Sequence, residues 1–260
     1  MTRDSTEVAR IALACLDLTS LNASDTPSEV AALCELASAT LAAHGGVAAI
    51  CVWPQLARFA RTQLPNQIAV AAVANFPEGS TDVDRALRDT GQIVDAGAQE
   101  VDVVLPYRAL RDGNVQACTA LLDAVRRACD GLLLKVILET GELREPALID
   151  QAARIALDAG ADFLKTSTGK TPVSATPQAA LTMLSVIASD SRACARVGFK
   201  ASGGVRSVAD AARYCDLVER TLGAGALAPE RFRIGASALL ADIQAVLGAA
   251  ARRERSDNGY

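Results

Sequence analysis

Short, continuous apolar runs alternate with amphipathic stretches from about residue 47 onward in this 260-residue chain. The runs lack the in-and-out alternation of half-buried strands, which is typical of parallel strands covered on both faces. Repeated strand–helix units of this kind predict a parallel sheet. Seven strands are predicted, at residues 47–52, 68–73, 100–104, 132–138, 163–166, 196–199 and 232–235.

The number of units predicts how the sheet closes. An eighth strand is expected in the weakly patterned segment 221–228, and eight units in about 250 residues predict a (β/α)8 TIM barrel. A doubly wound open sheet is the alternative, but no GxGxxG follows the first predicted strand. We therefore expect one domain over residues 1–260. It has an N-terminal helical extension at 1–46, with a polar turn at 16–22, and a polar C-terminal tail at 252–260.

Composition narrows the classes of partner, compartment and site that the chain can have. The net charge of −4 provides no basic footprint for nucleic acid or an anionic membrane. Seven cysteines without a CxxC pair, and an N-terminus without an apolar signal core, favour a reducing compartment and hence the cytoplasm. The single histidine, His44, argues against a metal site and against a histidine general base.

Lysine is scarce and unusually placed. The chain has 22 arginines but four lysines, and each lysine lies in or just after an apolar run: Lys135, Lys165, Lys170 and Lys200. Arginine retains its proton near neutral pH and cannot serve as a nucleophile, whereas lysine can. A GC-rich genome explains the count, but the placement indicates amine chemistry.

Lys165 and Asp102 are the first candidates for that chemistry. An apolar strand end desolvates Lys165, and a second lysine such as Lys200 would repel its proton. The alternative is a lysine that snorkels to the barrel mouth. Asp102 lies among valines and needs a cationic partner, either as a structural ion pair with Lys135 or Lys200 or as a proton shuttle. Both Asp102 and Lys165 follow a DAGA tetrapeptide at the same offset, which places them at the same level of their strands.

Glycine-rich turns follow the late predicted strands, at 169–170, 202–204 and 235–237. Backbone N–H groups in such turns, together with a helix N-terminus, commonly hold a phosphate in barrels of this kind. Ser237 precedes a predicted helix and can cap it or contact an anion. The sequence therefore predicts a small phosphorylated substrate.

Six blocks together resemble the deoxyribose-phosphate aldolase family, from about Leu16 to the C-terminal tyrosine: LDLTSLN, EVDVVLPYRAL, LLLKVILETGEL, ADFLKTSTGK, VGFKASGGVR and RIGASAL. The resemblance implies reversible cleavage of 2-deoxy-D-ribose 5-phosphate to acetaldehyde and D-glyceraldehyde 3-phosphate, without a metal or an organic cofactor. It implies that Lys165 forms the Schiff base, that Lys200 lowers the pKa of Lys165, and that Asp102 moves protons, through water.

The resemblance implies further contacts with substrate. Those expected near the sugar are Asp17, Thr19, Asn22 and Cys51, although Asn22 could instead cap the next helix and Cys51 could be an inert core thiol. Those expected around the phosphate are Lys170, Gly203, Gly204, Gly235 and Ser237. Tyr260 matches a tail tyrosine that folds over the site. Two departures stand out: Ala238 replaces a second serine after Ser237, and residues 201–204 read Ala-Ser-Gly-Gly where Pro-Ala-Gly-Gly is familiar.

Two other functions remain open at this point. One is a Schiff-base barrel lyase or transaldolase-like enzyme with a different donor. The other is a non-catalytic phosphosugar-binding barrel, which would have no need of a neutral amine. By resemblance we also expect a homodimer.

Overall fold

A closed barrel of eight parallel strands forms the centre of the protein, in a computed structural model that describes residues 3–257. Each strand is hydrogen-bonded to the next in chain order, and the last pairs with the first. This confirms the predicted (β/α)8 architecture. The strands are β1 (Leu16–Thr19), β2 (Ala49–Val52), β3 (Ala69–Ala74), β4 (Glu100–Val104), β5 (Leu133–Ile137), β6 (Phe163–Lys165), β7 (Gly198–Ser202) and β8 (Phe232–Ala236).

Helices surround the barrel and connect successive strands. Helix α1 precedes the barrel and packs against α10 and α11. The helices are α1 (Ser5–Ala14), α2 (Pro27–His44), α3 (Pro54–Gln63), α4 (Val83–Asp95), α5 (Tyr107–Arg111), α6 (Val115–Ala128), α7 (Thr140–Leu143), α8 (Pro146–Asp158), α9 (Pro177–Ser189), α10 (Val208–Leu222) and α11 (Leu239–Asp257), with a 3-10 turn at Ala224–Ala226. None of the helices described over residues 3–257 is long and apolar enough to cross a membrane.

The first strand lies where the sequence predicted a polar turn. Strand β1 pairs with β2 and β8, and Asp17 is in register with both Ala49 and Gly235. The predicted helical extension at 1–46 is therefore wrong beyond α1, because α2 is the first helix of the barrel itself. The strand has four residues, and two of them are polar because they belong to the site described below. For this reason it lacks the apolar run of the other strands.

The segment 221–228 is not a strand. It holds the end of α10, Gly223 with a φ of 88°, and the 3-10 turn. With β1 in the barrel, the seven strands predicted from residue 47 onward overlap β2–β8 and complete the set of eight. The predicted tail at 252–260 is also partly wrong, since α11 continues to Asp257. Tyr260 lies outside the described residues.

Local signals bring β4 and β6 into position. Helices α4 and α8 each end in the DAGA tetrapeptide, where Gly97 and Gly160 adopt φ values of 74° and 82° that favour glycine. At the other end of helices, Thr176 accepts a hydrogen bond from the Ala179 N–H (3.2 Å). Ser207 and its partner three residues on form the predicted capping box of α10. The two glycines end α4 and α8 shortly before β4 and β6 begin, and the two N-caps fix where α9 and α10 begin.

Candidate active site

A cluster of charged side chains occupies the interior of the barrel. Two of them, Glu100 and Asp102, are two residues apart on β4 and so share one face of that strand. None of the clustered residues is more than 8% exposed, and all find partners inside the cluster. The members are Asp17 on β1, Glu100 and Asp102 on β4, Lys135 on β5, Lys165 on β6, Lys200 on β7 and Arg233 on β8.

Asp102 is the centre of this cluster. Its Oδ1 accepts a hydrogen bond from Lys135 Nζ (2.8 Å). Its Oδ2 accepts from Lys165 Nζ (2.7 Å) and from Lys200 Nζ (2.8 Å). Burial alone disfavours the carboxylate, but the three ammonium groups outweigh it and hold the pKa of Asp102 well below its ordinary value. Asp102 is therefore a permanent acceptor between the lysines, and both ion pairs considered from the sequence exist.

Lys165 is the lysine whose environment favours the neutral amine. Burial lowers its pKa, Asp102 opposes that effect, and the charge of Lys200 lowers the pKa further. Its side chain is 2% exposed. Because only a neutral amine attacks a carbonyl, this environment is suited to a nucleophile.

The pKa values of Lys200 and Lys135 are shifted upward, opposite to that of Lys165. Burial disfavours the ammonium of Lys200, but Asp102 and Asp17 together outweigh it, so the pKa of Lys200 is raised. Lys135 follows the same pattern with Glu100 as a third carboxylate, and its pKa is raised well above the ordinary value. Two ammonium groups therefore stand near one lysine whose environment favours loss of its proton.

Arg233 closes the cluster on the side of β8. Its guanidinium donates to Asp17 Oδ1 (2.7 Å) and to Glu100 Oε1 (2.8 Å), and Lys135 Nζ donates to Glu100 Oε2 (2.5 Å). Four cationic side chains thus face three carboxylates, so the charges balance when Lys165 is neutral. The sequence analysis missed Glu100 and Arg233. Their signal was a charged residue inside an apolar strand, two positions from another site residue.

The carboxylate oxygens of the cluster are committed to ammonium and guanidinium groups. No group of three His, Cys, Asp or Glu side chains within the described part of the chain is arranged to hold a metal ion.

A cavity of about 290 Å³ lies at the carboxyl ends of the strands. Lys200 approaches its floor, since a β-carbon on Gly235 would be 3.0 Å from Lys200 Cε. The sequence-predicted residues that line it are Thr19, Asn22, Lys170, Gly203, Gly204, Gly235 and Ser237. The turns after four different strands therefore converge on one space.

Several features of the cavity suit an anion. Gly203 and Gly204 have successive φ values of 82° and 83°, which favour glycine, so this glycine turn borders the cavity without side chains that would keep an anion from its backbone. Helix α11 begins two residues after Ser237 and directs its N-terminal N–H groups to the same place. Lys170 is exposed at the rim, in contrast to the other three lysines, which are buried. Arg206, which the sequence analysis did not select, also lines the cavity.

Glu139 fixes the turn that follows β6. It is fully buried and adopts a left-handed backbone (φ 57°, ψ 58°) just after β5. Its carboxylate accepts from the Thr168 hydroxyl (2.5 Å) and the Thr171 hydroxyl (3.2 Å). Burial raises the pKa of Glu139 despite these bonds. The sequence analysis missed this residue, although an acidic residue directly after an apolar strand was visible in LLLKVILE.

The four residues predicted near the sugar make different contacts. Asp17 lies in the ion cluster, and Thr19 Oγ1 donates to the Asp17 carbonyl (2.8 Å). Asn22 does not cap α2, whose N-cap is Thr26; its side chain donates to an aspartate in its own loop. Cys51 Sγ lies 3.9 Å from an oxygen of Asp102, and burial raises its pKa to about 11, so the thiol is neutral.

Comparison with known proteins identifies the family. The model of the DeoC/LacD family aldolases matches residues 11–245, nearly the whole chain. The chain belongs to the DeoC/LacD family of aldolases. The aldolase is also similar to solved structures that are provisionally named deoxyribose-phosphate aldolases.

One of these comes from Coccidioides immitis, with 30% identity and a TM-score of 0.78 over 92% of this chain and 86% of that one. Another, from Toxoplasma gondii ME49, has 25% identity and a TM-score of 0.85 over 94% and 97%. A tetrameric deoxyribose phosphate aldolase from Aeropyrum pernix has a TM-score of 0.69 at 22% identity, over 95% and 98%, and supports the fold alone.

Proposed function

We propose that this aldolase reversibly cleaves 2-deoxy-D-ribose 5-phosphate to acetaldehyde and D-glyceraldehyde 3-phosphate through a Schiff base on Lys165. The observation that carries the proposal is the position of Lys165. Its buried amine, with a lowered pKa, donates to the same Asp102 oxygen as the ammonium of Lys200, and the turn that follows Lys165 lines a cavity suited to an anion. A non-catalytic phosphosugar-binding barrel has no use for that arrangement.

The chemistry follows from the neutral amine. The Lys165 nitrogen adds to carbon 1 of the open-chain sugar, and loss of water gives a protonated imine. The hydroxyl on carbon 3 then loses its proton, the bond between carbons 2 and 3 breaks, and the electron pair moves toward the imine nitrogen. D-glyceraldehyde 3-phosphate leaves, and an enamine of acetaldehyde remains. Protonation at carbon 2 and addition of water release acetaldehyde and restore the amine.

The neighbours of Lys165 supply the proton transfers. Lys200 is an ammonium donor and Asp102 a carboxylate acceptor, and they are hydrogen-bonded to each other at 2.8 Å. In this proposal they move protons, through water, during loss of water from the carbinolamine and formation of the enamine. The positive imine replaces a charge that the amine lacked, and Asp102 lies 2.7 Å from the nitrogen that bears it.

The phosphate would bind at the cavity mouth. The groups that suit it are the glycine turn at Gly203 and Gly204, the N-terminus of α11 with Ser237, and the exposed Lys170. The missing second serine at Ala238 removes one hydroxyl but no backbone N–H. Thr19 and Asn22 also line the cavity, and we propose that they lie near the sugar hydroxyls.

Borohydride reduction tests the proposal. The protein is mixed with 2-deoxyribose 5-phosphate and borohydride, and the adduct is located by intact mass and peptide mapping, which is simple with four lysines in the chain. We expect one reduced adduct on Lys165. Lys165→Arg should abolish both adduct and turnover, whereas Lys170→Arg, which changes an exposed lysine, should keep the adduct. A folded wild-type protein without an adduct would refute the proposal.

The donor distinguishes this reaction from that of other Schiff-base lyases. An aldolase for deoxyribose phosphate should prefer acetaldehyde over larger carbonyl donors in the direction of synthesis. A panel of donors with D-glyceraldehyde 3-phosphate as acceptor measures this preference. A better rate with a ketone donor would favour a transaldolase-like enzyme.

The assembly and compartment are further proposals. We propose a cytoplasmic homodimer, as expected from the family resemblance and the cysteine usage. Size-exclusion chromatography with light scattering tests the assembly, and a tetramer like that described for the Aeropyrum pernix relative would contradict it.

A further inference from the structure

Among the hydroxyls that line the cavity, that of Ser202 combines a buried position with the lack of a hydrogen-bond partner in the described part of the protein. Ser202 ends β7 and is only 6% exposed. Every fully shielded side-chain nitrogen or oxygen of the described residues has a hydrogen-bond partner. The Ser202 hydroxyl takes part in none of the side-chain hydrogen bonds of these residues, so it must face open space. The space that Ser202 lines is the cavity.

Two other hydroxyls that line the cavity have protein hydrogen-bond partners. The Thr168 hydroxyl, which also lines the cavity, donates to Glu139 (2.5 Å), and the Thr19 hydroxyl donates to a backbone carbonyl (2.8 Å). The backbone of Ser202 is held firmly: its N–H donates to Thr166 Oγ1 (3.0 Å), and Thr166 Oγ1 donates to its carbonyl (3.1 Å). A fixed backbone thus presents one uncommitted hydroxyl to the cavity.

The hydroxyl lies between the reacting amines and the anion-binding turn. Ser202 is two residues beyond Lys200 on β7, about 6.6 Å along the strand and on the same face. Its Oγ is 2.7 Å from the place where a β-carbon on Gly235 would be, and Lys200 Cε is 3.0 Å from the same place. Directly after Ser202 comes the glycine turn at Gly203 and Gly204, which also lines the cavity.

We propose that Ser202 is a specificity residue that hydrogen-bonds the hydroxyl next to the phosphorylated carbon of the substrate. This inference rests on the proposed function. With carbon 1 on Lys165 and the phosphate at the glycine turn, the middle carbons of the substrate would lie beside Ser202. The hydroxyl on carbon 3 must give up its proton in the cleavage. The hydroxyl on carbon 4, which becomes the 2-hydroxyl of glyceraldehyde 3-phosphate, takes no part in bond making and is free to be recognised.

The consequence is discrimination among phosphorylated aldehydes. A site that hydrogen-bonds a substrate hydroxyl rejects the analogue that lacks it. The enzyme should therefore prefer 2-hydroxyaldehyde phosphates over aldehyde phosphates of the same length without the hydroxyl. This preference is separate from phosphate binding, which both acceptors share.

The test compares two acceptors on two variants in the direction of synthesis, with acetaldehyde as donor. The acceptors are D-glyceraldehyde 3-phosphate and 3-oxopropyl phosphate, which lacks the 2-hydroxyl. In Ser202→Ala we expect the ratio of their kcat/KM values to fall about tenfold, through a loss on the hydroxylated acceptor alone. Ser237→Ala, at the phosphate end, should lower both values by the same factor and keep the ratio. The ratio does not depend on the fraction of folded protein.

The outcomes separate the two proposals. A wild-type adduct on Lys165 with an unchanged acceptor ratio in Ser202→Ala would overturn the role of Ser202 and leave the proposed function standing. An equal loss on both acceptors would also overturn it, since that is the effect of a structural change. Failure of the wild-type protein to form the adduct would overturn the proposed function and the contact that rests on it.

Discussion

The charge of Lys200 should set the pH at which the enzyme works. Lys165 Nζ and Lys200 Nζ bond to the same oxygen of Asp102, at 2.7 and 2.8 Å, so the two nitrogens are at most about 5.5 Å apart. At an effective dielectric constant of about 20, two unit charges at that distance repel by about 3 kcal/mol. Lys200 keeps its proton because its pKa is raised, so this repulsion acts on Lys165 at neutral pH.

Lys200→Met removes the repulsion and leaves the attraction of Asp102. The pKa of Lys165 should therefore rise, and the share of neutral amine at pH 7 should fall about a hundredfold, since each 1.4 kcal/mol is a factor of ten. Because the neutral amine is the reacting form in the proposed mechanism, activity should be gained as pH rises through the pKa of Lys165. We expect kcat/KM to fall about a hundredfold at pH 7 and to recover at alkaline pH.

The pH profile of kcat/KM, measured together with the rate of borohydride trapping, separates this effect from others. If Lys200 acts only as a proton donor, its loss lowers the rate at every pH without moving the acid side of the profile. Lys200→Arg keeps the positive charge and should leave the acid side in place even if the rate falls. An acid side in Lys200→Met that coincides with that of the wild type would refute the reasoning.

Three further substitutions test the packing and the turn after β6. Gly235→Ala places a β-carbon 3.0 Å from Lys200 Cε and should displace that side chain. We expect steady-state kcat to fall about tenfold with a small change in Tm, and an unchanged kcat would contradict this expectation. Glu139→Gln weakens the hydrogen bonds from Thr168 and Thr171 that hold the turn after β6. Competitive inhibition by inorganic phosphate should therefore weaken about tenfold. The matched variant Glu142→Gln should leave this inhibition unchanged. Gly198→Ala places a β-carbon 2.3 Å from the aromatic ring of β6, and urea unfolding should show a loss of about 1–3 kcal/mol; wild-type stability would mean that the ring moves aside.

Seven of the eight barrel strands were predictable because they are buried on both faces. Strands β2–β8 are apolar runs long enough to stand out between helices, and the helix-ending glycines at 97 and 160 supported them. Strand β1 was not predictable in this way, since two of the four residues of LDLT are polar: Asp17 belongs to the ion cluster and Thr19 lines the cavity. Once β1 was missed, an eighth strand was sought in 221–228, where none exists.

The candidate site was predictable as far as single residues could signal it. Lys165, Lys200 and Asp102 stood out as charges in apolar strands, and the structure brings their side chains within hydrogen-bonding distance. Their remaining partners could not be assigned, because the pairing of Glu100 with Arg233 joins strands on different parts of the barrel. Such contacts depend on barrel closure and register, which a list of strands does not contain.

The ion cluster also ties the two ends of the chain together. Asp17 on the first strand binds Lys200 and Arg233 on the last two, across 183 and 216 residues of sequence. The desolvation that lowers the pKa of Lys165 requires the closed barrel. During synthesis the first strand is made long before its partners, so the barrel cannot close until β8 is available to pair with β1. In the proposed mechanism, a chain that still lacks β8 would therefore carry no desolvated, reactive amine on Lys165.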